Sequence, residues 1–148
     1  MSSQSGDVAA KLLLLLVVVA IAGAVASPWL LRSPRTGSEH AAIATLKQIH
    51  AAQAEQYGAS RMYADIDRLK ASKRLPANFR GDAFAIDEYR YRHQAAGGWQ
   101  RWCAEATPLE EKTGAVLAID ETGIVKEFPA GFEPCSNGEL TSPGTPVR

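Results

Sequence analysis

Residues 12–31 read LLLLLVVVAIAGAVASPWLL, a run with no charge and with Ser27 as its one polar side chain. At about 1.5 Å per residue, a helix of this length spans about 30 Å, the thickness of a bilayer's hydrocarbon core. A small globular domain has no use for a helix that is apolar on every side. Lys11 and Arg32 bracket the run, and Trp29 stands near one end, where an indole favours the interface. The run therefore predicts a leader over 1–11, a transmembrane signal anchor over 12–31 and a linker over 32–37. It also reads as a cleaved secretory signal, with Ala24-Val25-Ala26 as a small-x-small cleavage pattern. The residues after that pattern stay apolar, which suits an anchor, and Pro28 would end or kink a helix on either reading.

Orientation by positive charge is nearly even. Lys11 and the amino terminus stand against Asp7 on one side, and Arg32 and Arg35 flank the other. The short leader and the cysteines discussed below favour a C-terminal part outside the cytoplasm.

The chain has 148 residues, with 16 Lys+Arg against 16 Asp+Glu. That length fits one domain. The zero balance removes the cationic excess that phosphate binding needs, so no nucleic-acid partner is expected. It equally excludes a polybasic membrane-surface binder.

Beyond the breaker Arg32–Gly37, Ser38 can cap a helix with Glu39 in its first turn. Residues 41–57 lack Pro and Gly, and Ala42, Ile43, Leu46, Ile49, Gln53 and Tyr57 recur at spacings of three and four. Gly58 is placed as a C′ residue. Met62–Lys70 suggests a short second helix capped by Asp65 or Asp67, and 71–82 reads as loop. The period then shifts toward two. Strands are expected over 83–93, 99–107, 114–120 and 124–128, joined by Gly-containing turns as an antiparallel meander. The fold class expected is α+β: an N-terminal transmembrane helix, then an amphipathic helix packed on a four-stranded antiparallel sheet. A head domain over 38–134 and a flexible C-terminal tail over 135–148 complete the division.

The two cysteines, Cys103 and Cys135, form no CxxC, which excludes a zinc ribbon or a thioredoxin-type site. In an exported domain they pair as a disulfide; in a cytoplasmic one they stay thiols. His40, His50 and His93 read as partly exposed surface histidines. Asp65/Asp67 read as caps, and Asp120/Glu121 as a solvated hairpin turn rather than a calcium loop. Trp99 and Trp102, three apart, face opposite sides of a strand, so one of them marks a contact surface. Arg90, Arg92 and Arg101 alternate with aromatics, but neutral charge argues against a nucleic-acid platform. No metal, cofactor or catalytic constellation is expected, so the chain reads as non-enzymatic.

The segment from Glu39 to Gly58, EHAAIATLKQIHAAQAEQYG, resembles the helix that opens the globular head of type IV pilin-like proteins and type II secretion pseudopilins. Tyr63–Leu69 (YADIDRL) is similar to the turn that follows it there. Trp102-Cys103-Ala104 and the stretch Ala118–Val125 resemble the last strands of that head, with its D-x-x-G hairpin. The usual prepilin peptidase site is missing, because Gly6 is followed by Asp7-Val8-Ala9-Ala10-Lys11 and no Glu opens the apolar run. The resemblance implies a membrane-anchored envelope protein acting through protein contacts, as an accessory of a secretion or pilus-like system. Its partners would be the lipid bilayer and other envelope or pilin-like proteins, with a homo-oligomer among the assemblies. The cleaved form would be a soluble periplasmic or extracellular binding module.

Overall fold

A helix-forming run rich in Ala and Gln becomes the longest element of the fold. The computed structural model describes residues 37–96, 98–110 and 114–147, in which α1 spans Gly37–Ser60. Ser38 and Gly58, expected just outside the helix, both lie within it. The chain leaves α1 instead at Arg61, a left-handed residue (φ 58°) whose N–H donates to the Tyr57 carbonyl. α1 buries Ala42, Leu46, Ile49, Ala52, Gln53 and Gln56. Removing the side chain of Leu46 or Ile49 beyond Cβ should cost about 2–5 kcal/mol. The second helix, α2, spans Ile66–Ala71, and its N-cap is Asp65, whose carboxylate accepts from Arg68 N at 2.6 Å.

Eight strands follow among the described residues: β1 (Ala83–Ile86), β2 (Tyr89–Ala96), β3 (Arg101–Pro108), β4 (Val116–Asp120), β5 (Lys126–Phe128), β6 (Cys135–Ser136), β7 (Glu139–Leu140) and β8 (Thr145–Pro146). Six of them form an antiparallel sheet in the order β1-β2-β3-β4-β5-β8, and β6-β7 is a separate hairpin.

The expected fold class is corrected in two respects. The main sheet has six strands, not four. Among the described residues no helix is long and apolar enough to cross a membrane. The leader 1–11, the apolar run 12–31 and the linker up to residue 36 lie outside the described residues.

Each change in the sheet has a local cause. The strand expected over 83–93 is a hairpin, β1-β2, turning at Asp87-Glu88 without a glycine. Asp87 itself takes the left-handed conformation (φ 53°), which Asp tolerates better than most side chains. The stretch 135–148, expected as a flexible tail, instead supplies β6, β7 and β8. Asn137 and Gly138, at φ 50° and 75°, close β6-β7 as the Asn-Gly hairpin turn favours. The loop 71–82 is not idle either. It buries Leu75 and Phe79, and Phe79 packs on Phe84 with ring centres 5.0 Å apart.

The sheet is covered on both faces. Tyr91, Trp102, Ala104, Ala106, Leu117 and Ile119 point to the side where α1 crosses β3 and β4. Cys103, Val116, Ala118 and Phe128 point the other way, against Cys135 and Leu140. Gly138 presses this second cover home: a Cβ built there would lie 2.7 Å from the Ala96 backbone nitrogen. Gly138→Ala meets that backbone and a positive φ together. It should lower stability by about 2 kcal/mol, read by urea unfolding, with the helix content of the folded state unchanged.

Candidate functional site

Two buried polar arrangements, one on each face, gather the chemistry-bearing side chains. On the outer face Cys103 of β3 and Cys135 of β6 form a disulfide, with Cα atoms 5.8 Å apart and 32 residues between them in sequence. The strand alternation explains the position. Cys103 shares β3 with Trp102 but faces the other side, so the bond reaches the C-terminal segment rather than α1. Next to it lies Glu105, whose carboxylate is almost fully buried. Its Oε1 accepts from Arg92 Nε at 2.7 Å and its Oε2 from the Cys135 backbone N–H at 3.2 Å. Gln94 Nε2 donates to the Cys135 carbonyl at 3.4 Å. A buried carboxylate is tolerable only when so paired, and here its second oxygen fixes the half-cystine's own backbone.

On the helix face, Asp82, His93 and Gln53 form a chain. His93 Nδ1 lies 3.1 Å from Asp82 Oδ1, and His93 Nε2 lies 2.9 Å from Gln53 Nε2. Gln53 also clamps the backbone of Ala64: its Oε1 accepts from Ala64 N at 3.0 Å and its Nε2 donates to Ala64 O at 2.6 Å. That clamp fixes the amide's orientation, since an N–H needs an oxygen. The amide therefore donates to His93 Nε2, and the ring proton sits on Nδ1, where it donates to Asp82. Trp102 stacks on the His93 ring at 5.8 Å. The donated hydrogen bond from His93 holds the Asp82 carboxyl below its usual range; partial burial works against this, and the Ile66 N–H assists. An Asp–His pair can orient a general base, but here the far nitrogen is occupied by an amide inside the core. This chain joins four segments: α1, the start of α2, the approach to β1, and β2.

His93 is thus buried, not a surface residue; the signal available was its place in step with Tyr89 and Tyr91 on one strand face. His50 is half-buried over Gly123 and beside Trp102. His40 is exposed. Trp102 is 0% exposed and Trp99 38%. Trp99 lies in the β2-β3 turn at φ 68°, and its carbonyl accepts from Tyr63 N at 2.8 Å. Among the described residues, the buried Trp102 indole N–H has no hydrogen-bond partner. Tyr63 stacks on Tyr57 at 4.7 Å, and burial, with Glu121 and Tyr57 nearby, raises its phenol pKa.

Asp120 serves its own turn, accepting from Thr122 N at 2.9 Å and from the Thr122 hydroxyl. It also lies 3.5 Å from Lys126 Nζ. With Arg101, which pairs with Glu139 at 2.5 Å, these residues line an open cleft of about 380 Å³. A second groove, about 270 Å³, runs between Arg90, Thr107 and Phe132. Among the described residues, no three His, Cys, Asp or Glu side chains gather as a metal site.

No protein-family model, no curated protein and no solved structure matches the chain.

Three outcomes follow from these geometries. Reducing the disulfide, or the variant C103A/C135A, should lower stability by about 3–4 kcal/mol, measured by urea unfolding with and without reductant. Asp82 has its folded pKa depressed below the unfolded value of 3.8, so its contribution is complete above that value. It is lost as pH falls through the folded pKa. Asp82→Asn should flatten that acid limb of the stability profile. His93→Leu should cost about 3 kcal/mol at neutral pH, because it strands the Gln53 amide and the Asp82 carboxylate.

Proposed function

We propose that this chain presents a pilin-like, non-enzymatic head outside the cytoplasm, where it works through contacts with other envelope proteins, as an accessory of a secretion or pilus-like system. The observation that carries the reading is the Cys103–Cys135 disulfide, a bond that persists in oxidising compartments and not in a reducing cytosol. Three further features support it. One amphipathic helix packed across an antiparallel sheet is the arrangement the resemblance implies for such a head. Gln53, His93 and Glu105, all buried, each fasten one chain segment to another. The exposed apolar side chains Met62, Trp99, Leu109, Ile124 and Phe132 sit on turns and connections, where contact surfaces form.

The test is fractionation of cells expressing the native chain, with free thiols alkylated before lysis. The expected result is an envelope fraction in which both cysteines resist alkylation until reductant is added. An alkaline wash then distinguishes a membrane-held head from a released one, and intact mass gives the mature N-terminus. Recovery of the intact chain, reduced and freely dissolved in the cytosol, would end the proposal.

A further inference from the structure

The six-stranded sheet has two ends, and they differ. At one end β8 is two residues long and carries Pro146, which removes a backbone donor. At the other end β1 reads Ala-Phe-Ala-Ile, with no proline, charge or bulge. The hydrogen-bond phase of β1 can be read from its neighbour. His93 N donates to Asp82 O at 2.7 Å, so that pair bonds; with the register Phe84↔Tyr91 and Ile86↔Tyr89, the bonded pairs alternate along the strand. The N–H and C=O groups of Asp82, Phe84 and Ile86 therefore face β2, and those of Ala83 and Ala85 face outward. Both alanines are exposed, and among the described residues neither backbone is bonded from the open side.

We propose that this edge pairs with the same edge of a second copy, strand against strand and antiparallel, joining two sheets into one. The proposal rests on the reading of the head as a protein-contact module and names the face it uses. A twofold axis through Phe84 sets Ala83 of one copy opposite Ala85 of the other, and the reverse. These are the residues whose backbone groups face outward, so both pairs close in the bonded phase. Phe84 meets its own counterpart across the axis, extending the ring cluster in which it stacks on Tyr91 and meets a tilted Phe79. The methyl side chains of Ala83 and Ala85 leave the opposite face clear. Beyond the strand ends, Arg80 of each copy approaches Asp87 and Glu88 of the other. All three side chains are exposed, and none forms an ion pair among the described residues. Opposite charges thus meet twice by symmetry. That complementarity favours a second copy over an unrelated strand. The nearest like charges on the outer face, Arg90 of one copy and Arg92 of the other, stand three strand spacings apart, about 15 Å, beyond the screening length at physiological salt.

Sedimentation equilibrium of the full chain in density-matched detergent tests the pairing. The wild type should dimerise reversibly. Ala85→Pro removes one outward N–H and none that bonds β2, so it should give monomer with an unchanged circular dichroism spectrum. Arg80→Glu and Glu88→Arg should each weaken the dimer by about tenfold, and R80E/E88R together should restore it. The charge variants keep the test decisive if the proline variant misfolds. A wild type that stays monomeric at about 100 µM would overturn the proposal. So would a dimer untouched by Ala85→Pro, or charge variants that do not rescue each other. Sedimentation is blind to compartment, so a monomer would leave the proposed export standing. Cytosolic recovery of a dimer would do the reverse.

Discussion

The strand β3 is buried on both of its faces, and that demand organises the rest of the fold. Trp102, Ala104 and Ala106 need one apolar cover, and Cys103 and Glu105 need another. A single helix can satisfy only one side. The second cover is assembled from short pieces, β6, β7 and the residues around them, which bury too little to hold themselves in place. The covalent bond to Cys135, the Glu105 carboxylate on its N–H and the Gln94 amide on its carbonyl supply what hydrophobic area cannot.

The two polar arrangements share one logic. Each places a buried group with several hydrogen-bonding capacities between segments distant in sequence. Gln53 and His93 are 40 residues apart, and Cys135 and Glu105 are 30 apart. Hydrogen bonds of this kind add modestly to net stability, but each is costly to leave unmade. They therefore select one arrangement of segments against near alternatives of similar apolar burial. The Trp102 N–H, buried on the helix face without a partner among the described residues, shows that the selection is not complete everywhere.

Much of the helix face could be read from periodicity. Ala42, Leu46, Ile49 and Gln53 were visible as a stripe because a long helix repeats its signal several times. The cysteine pairing followed from chemistry rather than pattern. The hairpin at Asp87-Glu88 was hidden because an aspartate, not a glycine, took the left-handed position. Asn137-Gly138 was the strongest turn signal in the chain. It was masked by the prolines and serines around it, which made a sheet of two-residue strands look like a tail. His93 was misplaced because a lone histidine carries no mark of burial; its partners, Gln53 and Asp82, are adjacent only after folding.

The position of Cys135 has a consequence for biosynthesis. The outer cover is made from Cys135, Leu140 and the residues around them, so it is synthesised after the surface it protects. Until residues 135–140 have been made, Val116, Ala118 and Phe128 have no lid and the Cys103 thiol has no mate. A polypeptide with this order of parts spends its youth with a greasy, reactive flank, and needs either haste or a guardian until that covering segment arrives.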